Sequence, residues 1–205
     1  MPTIIRTCLF DMGNVLLFFS HERMCAEMGR LCGRTAGEVR AAVMDSGLQA
    51  RFECGLPARD YHRLFTEAIG ANVEFDALLR AHCDIFRLNE AIVPVVDALQ
   101  SQGVRLVLLS NTDEAHFEHC CRRFDVLDRF DAFVASCRVG AMKPSDAIYR
   151  AALEAIDCAP HECFYTDDIG GYVERGREFG LDAETYTSVE RLAADLGRRG
   201  LRVTG

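Results

Sequence analysis

The sequence predicts an α/β protein: a parallel β-sheet with helices on both faces and a helical block inserted after its first strand. Three observations carry this. After residue 90, short apolar runs alternate with helical patterns, as parallel strands joined by crossover helices require. The first apolar run, residues 4–10, is cut off by Asp11-Met12-Gly13-Asn14 and reads as a buried strand entering a turn. Between residues 20 and 88, β-branched residues thin out and helical spacing dominates. The expected organisation is a Rossmann-like core from residues 1–17 and 90–205, with a helical segment at 18–89.

The elements follow in order. Thr35-Ala36-Gly37-Glu38 matches a capping box ahead of Val39, Ala42 and Val43. Pro57 suits the first turn of a helix carrying Tyr61, Leu64, Phe65 and Ala68. Phe75, Leu78, Leu79, His82, Cys83 and Phe86 continue the helical spacing. Residues 92–102 read as a helix ending at Gly103, 104–109 as a strand, and 113–124 as a helix. Residues 132–135 read as a short strand, 144–156 as a helix, 163–166 as a strand and 170–179 as a helix. A strand at 183–186 and a helix at 189–199 complete the pattern.

Composition narrows the function. Hydrophobic residues make up 49% of the 205-residue chain and charged residues 26%, which excludes a disordered chain. No apolar run is long enough to span a bilayer, and residues 1–10 do not resemble a signal peptide, so a cytoplasmic protein is expected. The formal charge of −8 argues against a nucleic-acid partner. The ten cysteines show no CxxC and no paired zinc spacing, and are expected to be reduced and structural. Of 23 basic residues, 22 are Arg and one is Lys143. A lone lysine against that bias suggests a place where a compact ammonium is needed and a planar guanidinium cannot serve.

In an open parallel sheet, ligands sit beyond the carboxyl ends of the strands. Asp11-Met12-Gly13-Asn14, Ser110-Asn111-Thr112 and Asp167-Asp168 all fall there, and Lys143 follows the short strand at 132–135. Singly, each also reads as a turn or helix-cap residue. Together, three carboxylates at one edge would repel one another and raise their pKa values unless a cation joins them. Mg²⁺ suits such oxygen donors. A carboxylate nucleophile, a divalent cation and a cationic side chain form a set suited to phosphoryl transfer.

These motifs resemble those of the haloacid dehalogenase superfamily of hydrolases. They are Phe10-Asp11-Met12-Gly13-Asn14-Val15-Leu16, Leu109-Ser110-Asn111-Thr112, Lys143-Pro144 and Phe164-Tyr165-Thr166-Asp167-Asp168. Their order and spacing match over essentially the whole chain, and the 18–89 segment is similar to the family's small helical cap. The first motif most resembles the bacterial branch containing α-D-glucose-1-phosphate phosphatase. The Asp-Asp-Ile-Gly stretch is similar to the phosphatase domain of soluble epoxide hydrolases.

The resemblance implies a Mg²⁺-dependent phosphatase acting on a small phosphorylated metabolite, such as a sugar phosphate, through an aspartyl-phosphate. It implies Asp11 as nucleophile, and Asp11, the Gly13 carbonyl and Asp168 as metal ligands. Asp167 would pair with Lys143 or reach the metal through water. Ser110 and the Asn111 backbone would hold phosphoryl oxygens, and Lys143 would neutralise Asp11 and the phosphate. Two other readings stand beside this one: a metal-independent 2-haloacid dehalogenase, and a catalytically weak binding or regulatory protein of the same fold. The oligomeric state is not legible.

Two departures matter. Family phosphatases usually carry an acid–base Asp two residues after the nucleophile, and here that residue is Gly13. The stretch after Asp168 carries Gly170-Gly171-Tyr172 where an Asn is common. His21 and Glu22 are candidates for the missing acid. Phe18 and Phe19 could line the substrate side, and Glu53-Cys54-Gly55-Leu56-Pro57 reads as a turn able to face the site. His116 and His119 share a helix face that is expected to lead into solvent.

Overall fold

The computed structural model describes residues 4–203; residues 1–3 and 204–205, which the expected core includes, lie outside the described residues. Strand β1 (Thr7–Phe10) is followed by β2 (Leu17–Phe18) and then by helices α1 (His21–Cys32), α2 (Ala36–Arg40), α3 (Leu48–Glu53), α4 (Ala58–Ile69) and α5 (Phe75–Cys83). A π-helical turn, Ala41–Asp45, joins α2 to α3. The chain returns through β3 (Arg87–Leu88), α6 (Val93–Ser101), β4 (Arg105–Ser110), α7 (Glu114–Arg123), β5 (Ala132–Ala135) and α8 (Ser136–Val139). It ends with α9 (Asp146–Ala155), β6 (Cys163–Asp167), α10 (Gly170–Glu178), β7 (Asp182–Thr185) and α11 (Val189–Arg198).

The five-stranded sheet has the order β5-β4-β1-β6-β7, and every pairing is parallel. The α/β class expected from the sequence is therefore the class observed. Side chains alternate between two cores, as the period of two in a strand demands. Cys8, Phe10, Leu106, Leu108 and Phe164 enter one cluster; Leu9, Val107, Leu109, Cys163 and Tyr165 enter the other. The segment between β2 and β3 builds a third cluster of its own, including Met24, Met28, Val43, Phe52, Tyr61 and Phe65. No described helix is long and apolar enough to cross a membrane. All ten cysteines are free thiols, as expected.

The chain leaves and re-enters the core through the antiparallel pair β2–β3, with Leu17 opposite Leu88 and Phe18 opposite Arg87. Asn89 fixes this junction. Its side-chain amide donates to the Val15 carbonyl at 2.8 Å and to the Tyr186 hydroxyl at 2.9 Å, and its backbone N–H donates to the Leu16 carbonyl at 2.9 Å.

Several boundaries move. The first strand begins at Thr7 rather than residue 4, and Ile4 is exposed. The helical spacing does not continue to Phe86: α5 stops at Cys83 so that the chain can straighten into β3. The helix expected from residue 144 starts at Asp146 with Ser145 as its N-cap, leaving Pro144 before it. The Lys143–Pro144 peptide is cis.

Candidate active site

Asp11 leaves β1 at the carboxyl end of the central strand, where its N–H still donates to the Thr166 carbonyl at 3.0 Å. The chain then turns through Asn14 in the left-handed region, φ 54°, a conformation Asn tolerates because its short side chain bonds locally. The Asn14 amide donates to Asp168 Oδ2 at 3.0 Å and so ties the turn after β1 to the turn after β6.

Lys143 is the hub. Its ammonium donates to Asp11 Oδ1 at 2.7 Å, Asp167 Oδ2 at 2.6 Å and the Leu109 carbonyl at 2.9 Å, which uses all three of its protons. Only 1% of the side chain is exposed. The Asn111 amide holds the Lys143 backbone from both sides, accepting from its N–H at 2.7 Å and donating to its carbonyl at 3.1 Å. Burial alone would lower the pKa of Lys143; the Asp11 and Asp167 carboxylates overcome it and raise it. Burial pushes the Asp11 carboxyl up; Lys143 opposes this, and the negative charges of Asp167 and Asp168 add to it.

The three carboxylates differ in what they leave free. Asp167 accepts from Lys143, from the Tyr165 hydroxyl at 2.7 Å and from the Ile169 N–H at 2.9 Å, so both of its oxygens are engaged. Asp11 Oδ2 and Asp168 Oδ1 carry no hydrogen-bond partner among the described residues, while their sister oxygens face Lys143 and Asn14. The Asp11, Asp167 and Asp168 ligand atoms lie within 4.8 Å of one another. Three carboxylates against one ammonium leave an uncompensated negative charge at hard oxygen donors. A divalent oxygen-seeking cation fits that donor set.

A cleft of about 200 Å³ opens over this cluster. Asp11, Gly13, Ser110, Asn111, Lys143 and Asp168, all singled out in the sequence, line it together. Asp167 is fully buried behind Lys143. Phe19, His21 and Glu53 reach the cleft from the helical segment; Glu22 is exposed, and neither it nor Phe18 lines the cleft. Tyr172, in the Gly170-Gly171-Tyr172 helix start, lines the cleft with its ring 5.3 Å from the Lys143 ammonium. Gly13 is explained by contact: a Cβ there would sit 2.8 Å from Phe19 Cε1.

The expectation for His116 is corrected. It is 4% exposed, lines the cleft and stacks on His82 with ring centroids 4.0 Å apart. His119, on the same helix, is half-buried and does not line the cleft. The reason is α5, which packs across α7 and covers the face that helical periodicity assigns to solvent. Asp113, the α7 N-cap, accepts from His116 Nδ1 at 2.9 Å, His82 Nε2 at 3.0 Å and the Gln49 amide at 3.1 Å. His116 Nε2 faces the His82 carbonyl at 3.0 Å. Both partners of the His116 ring only accept, so both nitrogens donate and the ring is an imidazolium. His82 donates from Nε2 and accepts from the Tyr61 hydroxyl at 3.3 Å, which makes it neutral. The pKa directions agree. Burial works against charge on all three groups, yet the two imidazoles hold Asp113 well below the carboxylate range, and Asp113 raises His116. Burial and the positive His116 lower His82 to about 4.

The family model for haloacid dehalogenase-like hydrolases matches residues 5–171. The sesquiterpene phosphatase astK of Aspergillus oryzae is 24% identical over 174 residues, covering 82% of this chain and 83% of that protein. Bifunctional epoxide hydrolase 2 of Rattus norvegicus is 25% identical over 122 residues, 58% of this chain; the match spans only 21% of the epoxide hydrolase. Among solved structures, the HAD family enzyme bt-2542 from Bacteroides thetaiotaomicron superposes with a TM-score of 0.83 at 22% identity, over 93% of this chain and 98% of that one. The same enzyme has been solved in complex with magnesium and inorganic phosphate.

Proposed function

The chain belongs to the haloacid dehalogenase-like hydrolase family, and from that membership we propose that it is a magnesium-dependent phosphatase of a small phosphorylated metabolite. The observation that carries the reading is the split of Asp11. Lys143 fixes one carboxylate oxygen at 2.7 Å, while the other has no hydrogen-bond partner among the described residues, in a side chain that lines the cleft together with Asp168. Asp11 Oδ2, the Gly13 carbonyl and Asp168 are the ligands we assign to Mg²⁺. The bound cation would neutralise phosphoryl oxygens and hold Asp11 as a carboxylate despite its burial.

In this reading Asp11 attacks phosphorus and the phosphoryl group passes to its carboxylate. Lys143 carries the positive charge that faces both Asp11 and the transferring group. The Ser110 hydroxyl and Asn111 N–H bind phosphoryl oxygens at the end of β4. Asp167 stays paired with Lys143 and orients it. The helical segment, residues 18–89, acts as a cap that closes the cleft, and the cleft volume of about 200 Å³ suits a compact substrate such as a sugar phosphate. The names of astK, a phosphatase, and of the magnesium and phosphate complex of bt-2542 support the same chemistry.

The test is hydrolysis of an aryl phosphate with Mg²⁺ and with a chelator. Turnover that needs Mg²⁺ is expected. Chloride release from a 2-haloacid without metal, and no phosphate release, would replace this reading with the dehalogenase.

A further inference from the structure

Gly13 leaves the cleft without the acid–base that family phosphatases carry at that position, and the Phe19 ring fills the space a side chain there would need. The proton for the leaving group has to come from elsewhere in the wall. Besides Asp11, Lys143 and Asp168, four titratable side chains among the described residues line the cleft: His21, Glu53, His116 and Tyr172. His116 is committed through both ring nitrogens. Tyr172 is a phenol whose pKa burial raises further, and its hydroxyl meets the Asn111 amide at 3.5 Å. His21 lies against Phe19, and burial with the nearby positive charge of His116 lowers its pKa, so it holds no proton to give near neutrality.

Glu53 remains. It ends α3, and the following turn is pressed onto the core. The Ser136 hydroxyl donates to the Glu53 carbonyl at 2.6 Å, and Gly55, at φ 94°, is so close that a Cβ would meet the Cys137 carbonyl at 2.7 Å. One Gln49 amide nitrogen donates to Glu53 Oε1 at 3.0 Å and to Asp113 Oδ2 at 3.1 Å, which seats two carboxyl groups around one donor. Burial raises the Glu53 carboxyl and the negative Asp113 adds to this, against the Gln49 hydrogen bond and the positive His116. Glu53 Oε2 has no partner among the described residues.

Resting on the phosphatase reading above, we infer that Glu53 is the general acid and base of the reaction. As Asp11 forms its bond to phosphorus, the ester P–O bond breaks and the Glu53 carboxyl proton passes to the departing oxygen, giving the alcohol. The Glu53 carboxylate then takes a proton from water as that water attacks phosphorus. The bond between phosphorus and Asp11 breaks, phosphate leaves, and Glu53 is protonated again. Burial supports the assignment by raising the carboxyl into a range where it carries the proton more readily.

The experiment compares wild type with Glu53→Gln, which keeps the oxygen that Gln49 donates to. The substrates are aryl phosphates whose phenols range from acidic to weakly acidic, p-nitrophenyl to phenyl phosphate. A general acid matters most for the poorest leaving group. Glu53→Gln should lose about 10²–10⁴-fold in kcat/KM on phenyl phosphate and less than about 10-fold on p-nitrophenyl phosphate. Formate should restore part of the phenyl phosphate activity to Glu53→Ala. Equal losses along the series, or an unchanged profile, overturn the assignment while leaving the phosphatase reading intact. Absence of Mg²⁺-dependent turnover by wild type across the series overturns both.

Discussion

Replacing Lys143 by Met keeps the stem and removes the ammonium. Asp11 and Asp167 then share a buried site with no counter-charge, and the Leu109 carbonyl loses a donor. Removing one partner of a buried pair costs about 3–5 kcal/mol. For a domain of this size, about 2–4 °C accompanies each kcal/mol, so Tm should fall by about 6–20 °C. One stranded carboxyl will take up a proton to relieve the repulsion. Its folded pKa is then raised, the folded state binds more protons than the unfolded one, and stability falls as pH rises. The Met variant's penalty should therefore shrink between pH 7 and pH 5. Lys143→Arg keeps the charge, but a planar fork cannot present three donors to partners arranged around a single nitrogen. It should melt between wild type and Met and lose at least about 10²-fold in kcat/KM on an aryl phosphate. Thermal unfolding by circular dichroism and steady-state kinetics measure both effects. A Met variant within about 2 °C of wild type, or an Arg variant within a few-fold in kcat/KM, would refute the reasoning.

Asp11→Asn should abolish phosphate release with Tm nearly unchanged; wild-type turnover in a variant free of deamidation removes Asp11 as nucleophile. Asp168→Ala should raise the Mg²⁺ concentration for half-maximal activity at least about tenfold, and an unchanged requirement takes Asp168 out of the ligand set. His82 resists protonation in the fold down to about 4, against an ordinary 6.5, so the unfolded chain binds the extra proton and Tm should fall as pH drops through that window. His82→Gln should flatten this acid limb, and a limb of unchanged slope shows that another group sets it. His116 acts in the opposite sense: its raised pKa makes its contribution fade as pH climbs above its folded value.

The strands and the polar edge were legible because their signals are local. β1, β4 and β6 are short apolar runs, and the residues that end them, Asp11, Ser110 and Asp167, are the ones that gather at the site. Lys143 could be picked out because composition made it rare. β2 and β3 could not be read, since two residues carry no periodicity and their pairing spans the whole helical segment. The Asp113 cluster was missed for a similar reason. A capping Asp and a helical His look ordinary one by one, and only the packing of α5 on α7 brings His82 to His116. The solvent face assigned to His116 was sound for an isolated helix and failed because periodicity says nothing about a second layer outside it. The sequence makes the turn at residues 53–57 able to face the site, and only the folded chain shows that Glu53 is its residue that lines the cleft.

Gly13 shows how far a missing side chain can mislead. In the sequence it reads as a loss, the position where family phosphatases usually carry an acid–base Asp. In the structure the space is filled: Phe19, from the opening of the helical segment, stands where an Asp would reach. Putting Asp at residue 13 would therefore displace Phe19 before it supplied any proton. The imidazoles and the free carboxyl of the cleft wall stand on the same side. His21 and Glu53 lie on the helical segment, and His116 is bonded to it through the His82 carbonyl. In the proposed reading, Lys143, Asp11 and Asp168 provide charge from the sheet edge, while proton delivery falls to the helical segment. If Glu53 is the acid, residues that shape the pocket there should alter kcat together with KM, because one wall would both contact the leaving group and protonate it.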